Sequence, residues 1–199
     1  MKNILAMLAA DVSGSMSGEK LSDAKQALID FTEELPPNGA IGIVRFGGLR
    51  ARTVQIPTTR RNKVVAAVEN LEALGGTPLH AGLKLSFQEI RRVSEESEMR
   101  HALTTQDKSR RGKSSNKTIV LSTDGKPTIG PKERGIVKLS EKIKSRGVKL
   151  VTVAIGDDAD ADLLREIASG TENFHSAVFS GQLPDLYREI ASGLVIKED

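Results

Sequence analysis

Small hydroxyl and carboxylate side chains gather directly after the first apolar run of the chain, residues 4–10. Asp11 ends this run, and Ser13 and Ser15 follow it within the stretch DVSGSMSG. A loop of this composition can present a nucleophilic hydroxyl, cradle a phosphate or bind a metal ion through oxygen atoms. The other residues that could do chemistry must decide among these three possibilities.

Two further polar positions stand where the same edge of a folded sheet could collect them. Thr77 precedes an amphipathic helical pattern, and Asp124 follows the apolar run TIVLS. Ligand sites of open parallel sheets form beyond the carboxyl ends of the strands. The combined set offers oxygen only, from two carboxylates and three hydroxyls. Such a set favours Mg²⁺, with Mn²⁺ or Ca²⁺ as alternatives, over zinc.

Three catalytic or phosphate-binding motifs are not matched, because a required position holds a different residue in each case. A nucleophile elbow needs Gly-x-Ser-x-Gly, whereas Met16 stands at the centre of residues 14–18. The ending of a phosphate loop is present at residues 112–114, but Asp107 stands where the first glycine is needed. A phosphatase of the Asp-x-Asp type would need an acid in place of Ser13. Metal-assisted hydrolysis of a phosphoester stays open as the alternative function.

Each candidate ligand also has a plain structural interpretation. The serines of residues 13–17 could cap the next helix, and Thr77 could cap the one after it. Asp124 and the glycine that follows it could form a simple turn. The acid-rich stretch 156–162 lacks the glycine and glutamate of a calcium-binding loop, so its aspartates are expected to favour a helix N-terminus. The three histidines have no metal-ligand spacing.

Strand-like and helix-like patterns alternate along the chain. Apolar runs predict buried strands at residues 4–10, 41–46, 118–122, 148–155 and 174–178, with amphipathic helices between them. Two glycines at 47–48 predict a hairpin that adds a strand over residues 52–56. The predicted fold is therefore a doubly wound α/β structure. Its central sheet is mostly parallel, with one antiparallel edge strand and helices on both faces.

The composition predicts one domain that spans residues 1–199. Apolar residues make up 38% and charged residues 28%, which is typical of a globular chain long enough to bury a core. The absence of cysteine removes disulfides and thiolate metal sites. We therefore expect a cytoplasmic, prokaryotic protein, with an excised extracellular domain as the alternative. No apolar stretch is long enough for a membrane span.

A polar, basic segment at residues 98–117 interrupts the alternation. It has no helical period, so it predicts a mobile insertion loop between a helix and a strand. Solvation explains its charges, and a basic patch for an acidic partner or for nucleic acid is the alternative. No aromatic residue accompanies the charges, and the net charge of the chain is only +3, so this alternative has little support. The basic residues are Arg100, Lys108, Arg110, Arg111, Lys113 and Lys117.

Three short motifs together resemble those of the von Willebrand factor type A domain. The first is DVSGS at residues 11–15, the second GGTPL at 75–79 and the third TDG at 123–125. Their order and the alternation of strands and helices match the family over residues 2–195. The resemblance implies the metal-ion-dependent adhesion site of that family and a function in binding other proteins, such as the assembly of a complex, rather than catalysis.

The resemblance also implies a role for each matched position. Ser13 and Ser15 would bind the metal directly, and Thr77 would bind it directly or through a water. Asp11 and Asp124 would act through waters, at the ends of adjacent strands. The metal would then accept an Asp or Glu carboxylate from a partner protein. We expect the rim around this site to comprise Met16, Ser17, Gly76, His80 and Gly125.

Overall fold

A six-stranded sheet forms the centre of the protein in a computed structural model, which describes residues 4–104 and 116–196. The strand order is β3-β2-β1-β4-β5-β6, and every neighbouring pair is parallel except β2 with β3. This confirms the predicted mostly parallel sheet with one antiparallel edge strand. The strands are β1 Ile4–Asp11, β2 Ala40–Gly47, β3 Arg50–Thr58, β4 Asn116–Thr123, β5 Val148–Ile155 and β6 Phe174–Ala177.

Six α-helices in the described residues cover the sheet on both faces. One apolar layer involves α1, α2 and α6, and the other involves α3, α4 and α5. None of the helices in these ranges is both long and apolar enough to cross a membrane. The helices are α1 Glu19–Glu34, α2 Arg61–Glu69, α3 Leu79–Thr104, α4 Glu133–Lys144, α5 Ala161–Ile167 and α6 Leu183–Ile196.

Strand β1 lies in the middle of the sheet and is buried along its whole length. Its side chains alternate between the two layers: Leu8 packs in the first, and Met7 in the second. This alternation follows from the two-residue period of a strand. Burial on both faces explains why the opening run of the sequence is apolar at every position. Pairing with β2 and β4 on either side holds the end of β1 within the sheet.

Helix α2 is shorter than the apolar pattern suggests. It ends at Glu69, and Leu71 remains buried in the segment that follows. The side-chain amide of Asn70 donates to the carbonyl of Ala66, and the backbone N–H of Leu74 donates to the carbonyl of Val12 at 2.6 Å. The backbone of the segment after α2 is therefore hydrogen-bonded to the residue that directly follows β1.

The predicted insertion loop at residues 98–117 is wrong at both of its ends. Residues 98–104 continue helix α3, and residues 116–117 begin β4. The solvent-facing part of α3 has ion pairs between residues three or four apart, including Arg91 with Glu95 and Arg92 with Glu96. Such pairs stabilise an exposed helix without an apolar stripe, so hydrophobic periodicity underestimates its length. Residues 105–115 lie outside the described part of the chain.

Candidate metal centre

The two candidate carboxylates lie at the carboxyl ends of adjacent strands. Asp11 is the last residue of β1, and Asp124 directly follows β4. These strands are parallel neighbours, with Ala10 opposite Ser122. The chain order reverses between them, so they form the switch point of the doubly wound sheet. Both carboxylates are buried, Asp11 at 1% exposure and Asp124 at 0%.

Serine hydroxyls from the loop after β1 contact this pair of carboxylates. The Ser15 hydroxyl donates to Oδ1 of Asp124 at 2.7 Å, and the hydroxyl oxygens of Ser13 and Ser15 are 3.1 Å apart. The backbone N–H of Ser13 donates to Oδ1 of Asp11 at 2.7 Å. The loop therefore lies over the strand ends, where a backbone N–H contacts one acid and a hydroxyl contacts the other.

Thr123 is a member of the cluster that the sequence interpretation did not single out. Its hydroxyl is buried and donates to Oδ2 of Asp11, and it also accepts the N–H of Gly125 at 3.2 Å. Both oxygens of Asp11 are thus hydrogen-bonded. The signal available in the sequence was its place in the motif TDG, directly before Asp124.

Thr77 is held next to the same cluster by the loop between β4 and α4. Its N–H donates to the Thr128 hydroxyl at 2.8 Å, and the N–H of Thr128 donates to its carbonyl at 3.2 Å. A Cβ atom placed on Gly125 would lie 3.8 Å from the Thr77 hydroxyl and 4.0 Å from that of Ser15. The two hydroxyls therefore border one space, which the absence of a side chain on Gly125 leaves open.

Gly76 positions Thr77 through a close backbone approach. Its φ is +68°, and a Cβ atom on it would lie 2.6 Å from the carbonyl oxygen of Gly48. A side chain is disfavoured in this left-handed conformation and would also collide with the turn between β2 and β3. By contrast, a Cβ atom on the neighbouring Gly75 would meet nothing within 4 Å.

We expect Gly76→Ala to destabilise the protein by about 1–3 kcal/mol, because the new methyl group must displace backbone at a strained φ. The matched variant Gly75→Ala should change stability by less than about 0.5 kcal/mol. Urea unfolding of both variants measures the difference. Equal stability of the two variants would contradict the proposed backbone constraint.

The electrostatics of the cluster are dominated by buried negative charge. Burial raises the pKa of the Asp11 carboxyl to about 6, and the nearby Asp124 carboxylate adds a smaller upward contribution. Hydrogen bonds from Thr123 and Ser13 act in the opposite direction. The ammonium group of Lys20, on the first turn of α1, donates to Oδ2 of Asp124 at 2.8 Å. Asp124 thus has a cationic partner, whereas Asp11 is compensated by hydrogen bonds.

The simpler interpretations of these residues do not account for their contacts. The N-cap position of α1 is Gly18, which has no side chain to cap the helix, and Ser17 instead donates to the carbonyl of Gly14. Asp124 bonds to Ser15 and Lys20, so its carboxylate does more than stabilise a local turn. Helix capping and turn formation therefore leave the convergence of these side chains unexplained.

The acid-rich stretch at residues 156–162 plays the structural role expected of it. Asp160 is the N-cap of α5, and its carboxylate accepts the N–H of Leu163 at 3.2 Å. Across residues 4–104 and 116–196, no three or more His, Cys, Asp and Glu side chains are grouped so that they could hold a metal ion. Any metal ligation at the strand ends must therefore use hydroxyls beside the two carboxylates.

The predicted rim needs one correction. Met16 is 1% exposed and packs in the core, because the 3₁₀ turn Gly14–Met16 directs its side chain inward. His80 lines a groove together with side chains of α3 and α4, such as Phe87 and Leu139, and its place in the rim stays a prediction. Ser17 is exposed, while Gly76 and Gly125 are partly exposed beside the cluster.

The sequence interpretation missed an exposed apolar residue near the same edge of the sheet as the oxygen cluster. Leu49, in the turn between β2 and β3, is 77% exposed and follows Gly48. The carbonyl of Gly48 lies beside Gly76, so the turn borders the segment that holds Thr77. Its signal in the sequence was a large apolar residue within a glycine turn, where no core position is available.

The residues present fit a hard divalent cation. Hydroxyl oxygens of Ser15 and Thr77 border a space next to Gly125, and the Ser13 hydroxyl lies 3.1 Å from that of Ser15. The two carboxylates that the loop contacts are buried. Buried carboxylates are costly unless cations or hydrogen bonds compensate them. An oxygen-only donor set with few carboxylates matches the preference of Mg²⁺, which keeps several of its waters.

A doubly wound sheet with hydroxyls and acids gathered at its switch point agrees with the fold and the three motifs of the von Willebrand factor type A domain. The chain belongs to the von Willebrand factor type A domain family, whose model matches residues 7–189. Members of this family are mainly interaction and adhesion modules rather than enzymes. The family assignment confirms the resemblance that the three sequence motifs indicated.

Relatives and solved structures agree with this assignment. Inter alpha-trypsin inhibitor, heavy chain 4, of Mus musculus is 26% identical over 204 residues; the match covers 98% of this chain and 20% of that protein. A von Willebrand factor type A structure from Catenulispora acidiphila has a TM-score of 0.77 at 22% identity, covering 99% of this chain and 43% of that one. The chain thus spans a minor part of the length of both.

One structural neighbour has zinc in a MIDAS motif, the metal-ion-dependent adhesion site of this family. Proximal thread matrix protein 1 from the mussel byssus, with a zinc-occupied MIDAS motif, has a TM-score of 0.66 at 18% identity. The similarity covers 96% of this chain and 46% of that one. At this identity the likeness establishes the shared fold alone.

Proposed function

We propose that this protein binds another protein through a divalent metal ion held at the ends of β1 and β4. Ser13, Ser15 and Thr77 would hold the ion directly, and Asp11 and Asp124 would act through waters. One observation carries this proposal: the hydroxyls of Ser15 and Thr77 border one space, and hydrogen bonds connect Ser15 to the Ser13 hydroxyl and to the buried carboxylate of Asp124.

The choice of ligands suits the capture of a carboxylate. Bound Mg²⁺ would supply Lewis acidity and an exchangeable coordination position. Three neutral hydroxyls neutralise little of the positive charge of an ion, and they leave it able to attract an acid. An Asp or Glu side chain of the partner protein is the matching group. The exposed Leu49 supplies an apolar contact next to the site, where a partner segment with an apolar residue beside its acid would fit.

The choice of metal in this proposal rests on the chemistry of the donors. Oxygen ligands without histidine or cysteine favour Mg²⁺, with Mn²⁺ or Ca²⁺ as alternatives. The zinc in the MIDAS motif of the mussel protein supports occupancy of such a site by a divalent ion. A role in assembling a complex and a cytoplasmic location remain predictions, the second based on the cysteine-free sequence.

Capture of partner proteins on the immobilised protein tests the proposed function. We expect Mg²⁺ to support capture of a protein from a lysate of the source cells, and EDTA to release it. The variant Ser13→Ala/Ser15→Ala should lose this capture, while Ser17→Ala, which changes an exposed serine of the same loop, should retain it. Capture that is indifferent to both EDTA and the serines would contradict metal-dependent binding.

A further variant, Asp11→Ala, separates binding from catalysis. A metal-assisted hydrolase would cleave members of a phosphoester panel in the presence of Mg²⁺, and Asp11→Ala would abolish the cleavage. We expect no such activity above the rate of the Asp11→Ala variant. Hydrolysis that depends on both Mg²⁺ and Asp11 would replace the binding function with an enzymatic one.

A further inference from the structure

Lys20 contacts the candidate metal centre directly, although no motif of the sequence includes it. It lies on the first turn of α1, and its ammonium group is 2.8 Å from Oδ2 of Asp124. The Lys20 side chain is 35% exposed, whereas that of Asp124 is 0% exposed. The lysine therefore reaches from the surface of α1 inward to a carboxylate that has no contact with solvent.

The two oxygens of Asp124 have different partners. Oδ1 accepts the Ser15 hydroxyl at 2.7 Å, and Oδ2 accepts the Lys20 ammonium at 2.8 Å. The Ser15 hydroxyl links Asp124 to the oxygen cluster. The Lys20 ammonium group compensates the charge of the same carboxylate at its other oxygen. A cation that binds among the hydroxyls of Ser13 and Ser15 must share this carboxylate with Lys20.

The charges of Asp11, Asp124 and Lys20 together determine how strongly the centre attracts a divalent cation. With both carboxylates ionised, Asp11 and Asp124 carry two negative charges and Lys20 carries one positive charge. A divalent ion therefore meets a net charge of −1 rather than −2, and the loaded centre has a net charge of +1 rather than zero. Charges a few ångströms apart in a partly buried region interact strongly, so one lysine has a large effect on cation affinity.

We propose that Lys20 is a positioning residue that holds Asp124 in place and lowers the affinity of the centre for divalent metal, leaving the loaded centre with net positive charge. The metal part of this inference rests on the proposed function. A lysine with a purely structural role would have the opposite effect, since its loss would disorder Asp124 and weaken metal binding.

Calorimetric titration with Mg²⁺ and Mn²⁺ of the wild type and of Lys20→Met tests the inference. Methionine retains the length of the side chain and removes its charge. We expect the variant to bind each metal about tenfold more tightly, which corresponds to about 1.4 kcal/mol. Its melting temperature in EDTA should fall by about 5 °C, because a buried carboxylate loses its only ion-pair partner among the described residues.

Three further variants complete the design. Lys25→Met removes an equal charge from the same helix, where the ammonium group bonds to the carbonyl of Glu69 rather than to an acid. It should bind metal like the wild type. Lys20→Arg keeps the charge and should retain the weaker affinity. Lys20→Gln removes the charge but can still donate a hydrogen bond, and it gives the same affinity test if the methionine variant does not fold.

The outcomes distinguish this inference from the proposed function. Equal or weaker metal binding by Lys20→Met, with measurable binding by the wild type, would overturn the inference and leave the proposed function standing. Binding by Lys20→Met but not by the wild type would support the inference and overturn the metal dependence proposed for the wild type. Binding by neither protein would overturn both.

Discussion

Saturating Mg²⁺ should raise the melting temperature of the wild-type protein by about 5–10 °C and leave that of Asp11→Ala/Ser13→Ala unchanged. A ligand that binds only the folded state stabilises it by about 2.7 kcal/mol at one hundred times its dissociation constant. For a domain of this size, each kcal/mol corresponds to about 2–4 °C in melting temperature. Differential scanning calorimetry with Mg²⁺, Mn²⁺ and EDTA measures the shift.

The physical reason for this result is the arrangement of charge and hydroxyls at the ends of β1 and β4. The double variant removes one buried carboxylate and the hydroxyl that lies 3.1 Å from that of Ser15, while the strand ends remain fixed by backbone hydrogen bonds such as Val12 to Phe46. Ser17→Ala is the control, because Ser17 is exposed and its hydroxyl donates to the carbonyl of Gly14 in the same loop. An equal shift in the wild type and the double variant would sink the assignment of the metal ligands.

The sequence was sufficient for the parts of the site that follow from the sheet. An apolar run such as residues 4–10 must form a buried strand, and an acid directly after it must lie at the edge of the sheet. Two such runs, ending at Asp11 and Asp124, become neighbours in a doubly wound fold. The reasoning needed no side-chain geometry, and the structure confirms the fold and brings these side chains together.

The parts that the sequence did not predict depend on side-chain direction. Met16 and Ser15 are adjacent in the loop, yet the 3₁₀ turn buries the first and exposes the second. Lys20 lies on an amphipathic helix, where a lysine is ordinarily solvated, and only the packing of α1 against the sheet brings it to Asp124. Thr123 is one more residue in an apolar strand until the pairing of β1 with β4 places it opposite Asp11.

Helix α3 shows a different kind of limit. Apolar periodicity reports the burial of a helical face, so it gives no signal where a helix extends into solvent. The ion pairs of Arg92 with Glu89 and Glu96 run along such a surface. A search for charged pairs three and four residues apart would have supported a helix as far as Glu96, beyond Val93, the last apolar position of its buried face.

In EDTA, Asp11→Asn should be more stable than the wild type at pH 8, and the difference should disappear toward pH 4. Burial raises the pKa of Asp11 from 3.8 to about 6, so the folded state holds this proton more tightly than the unfolded state does. The contribution of Asp11 to the free energy of unfolding therefore falls as pH rises from about 4 to above 6, by at most about 3 kcal/mol.

The net gain from asparagine should be smaller than this limit, about 1–2 kcal/mol at pH 8, because an amide cannot accept hydrogen bonds at both of its atoms. The Thr123 hydroxyl can rotate to accept from the amide, while the Ser13 N–H keeps an oxygen acceptor. Urea unfolding between pH 4 and pH 8 measures the difference, with the exposed Asp157→Asn as a control for the loss of one negative charge. A wild type that equals or exceeds the variant at pH 8 in EDTA would refute the cost assigned to the Asp11 charge.

Added Mg²⁺ should then reverse the order of stability, because only the wild type has the second buried carboxylate that favours a divalent ion. The same charge would thus lower the stability of the metal-free protein and raise the affinity for metal, as expected where a binding centre is assembled at the expense of stability. Lys20 offsets part of that cost at Asp124, whereas Asp11 has only hydrogen bonds from Ser13 and Thr123. The acid without an ion-pair partner in the described residues is therefore the one whose neutralisation should stabilise the protein most.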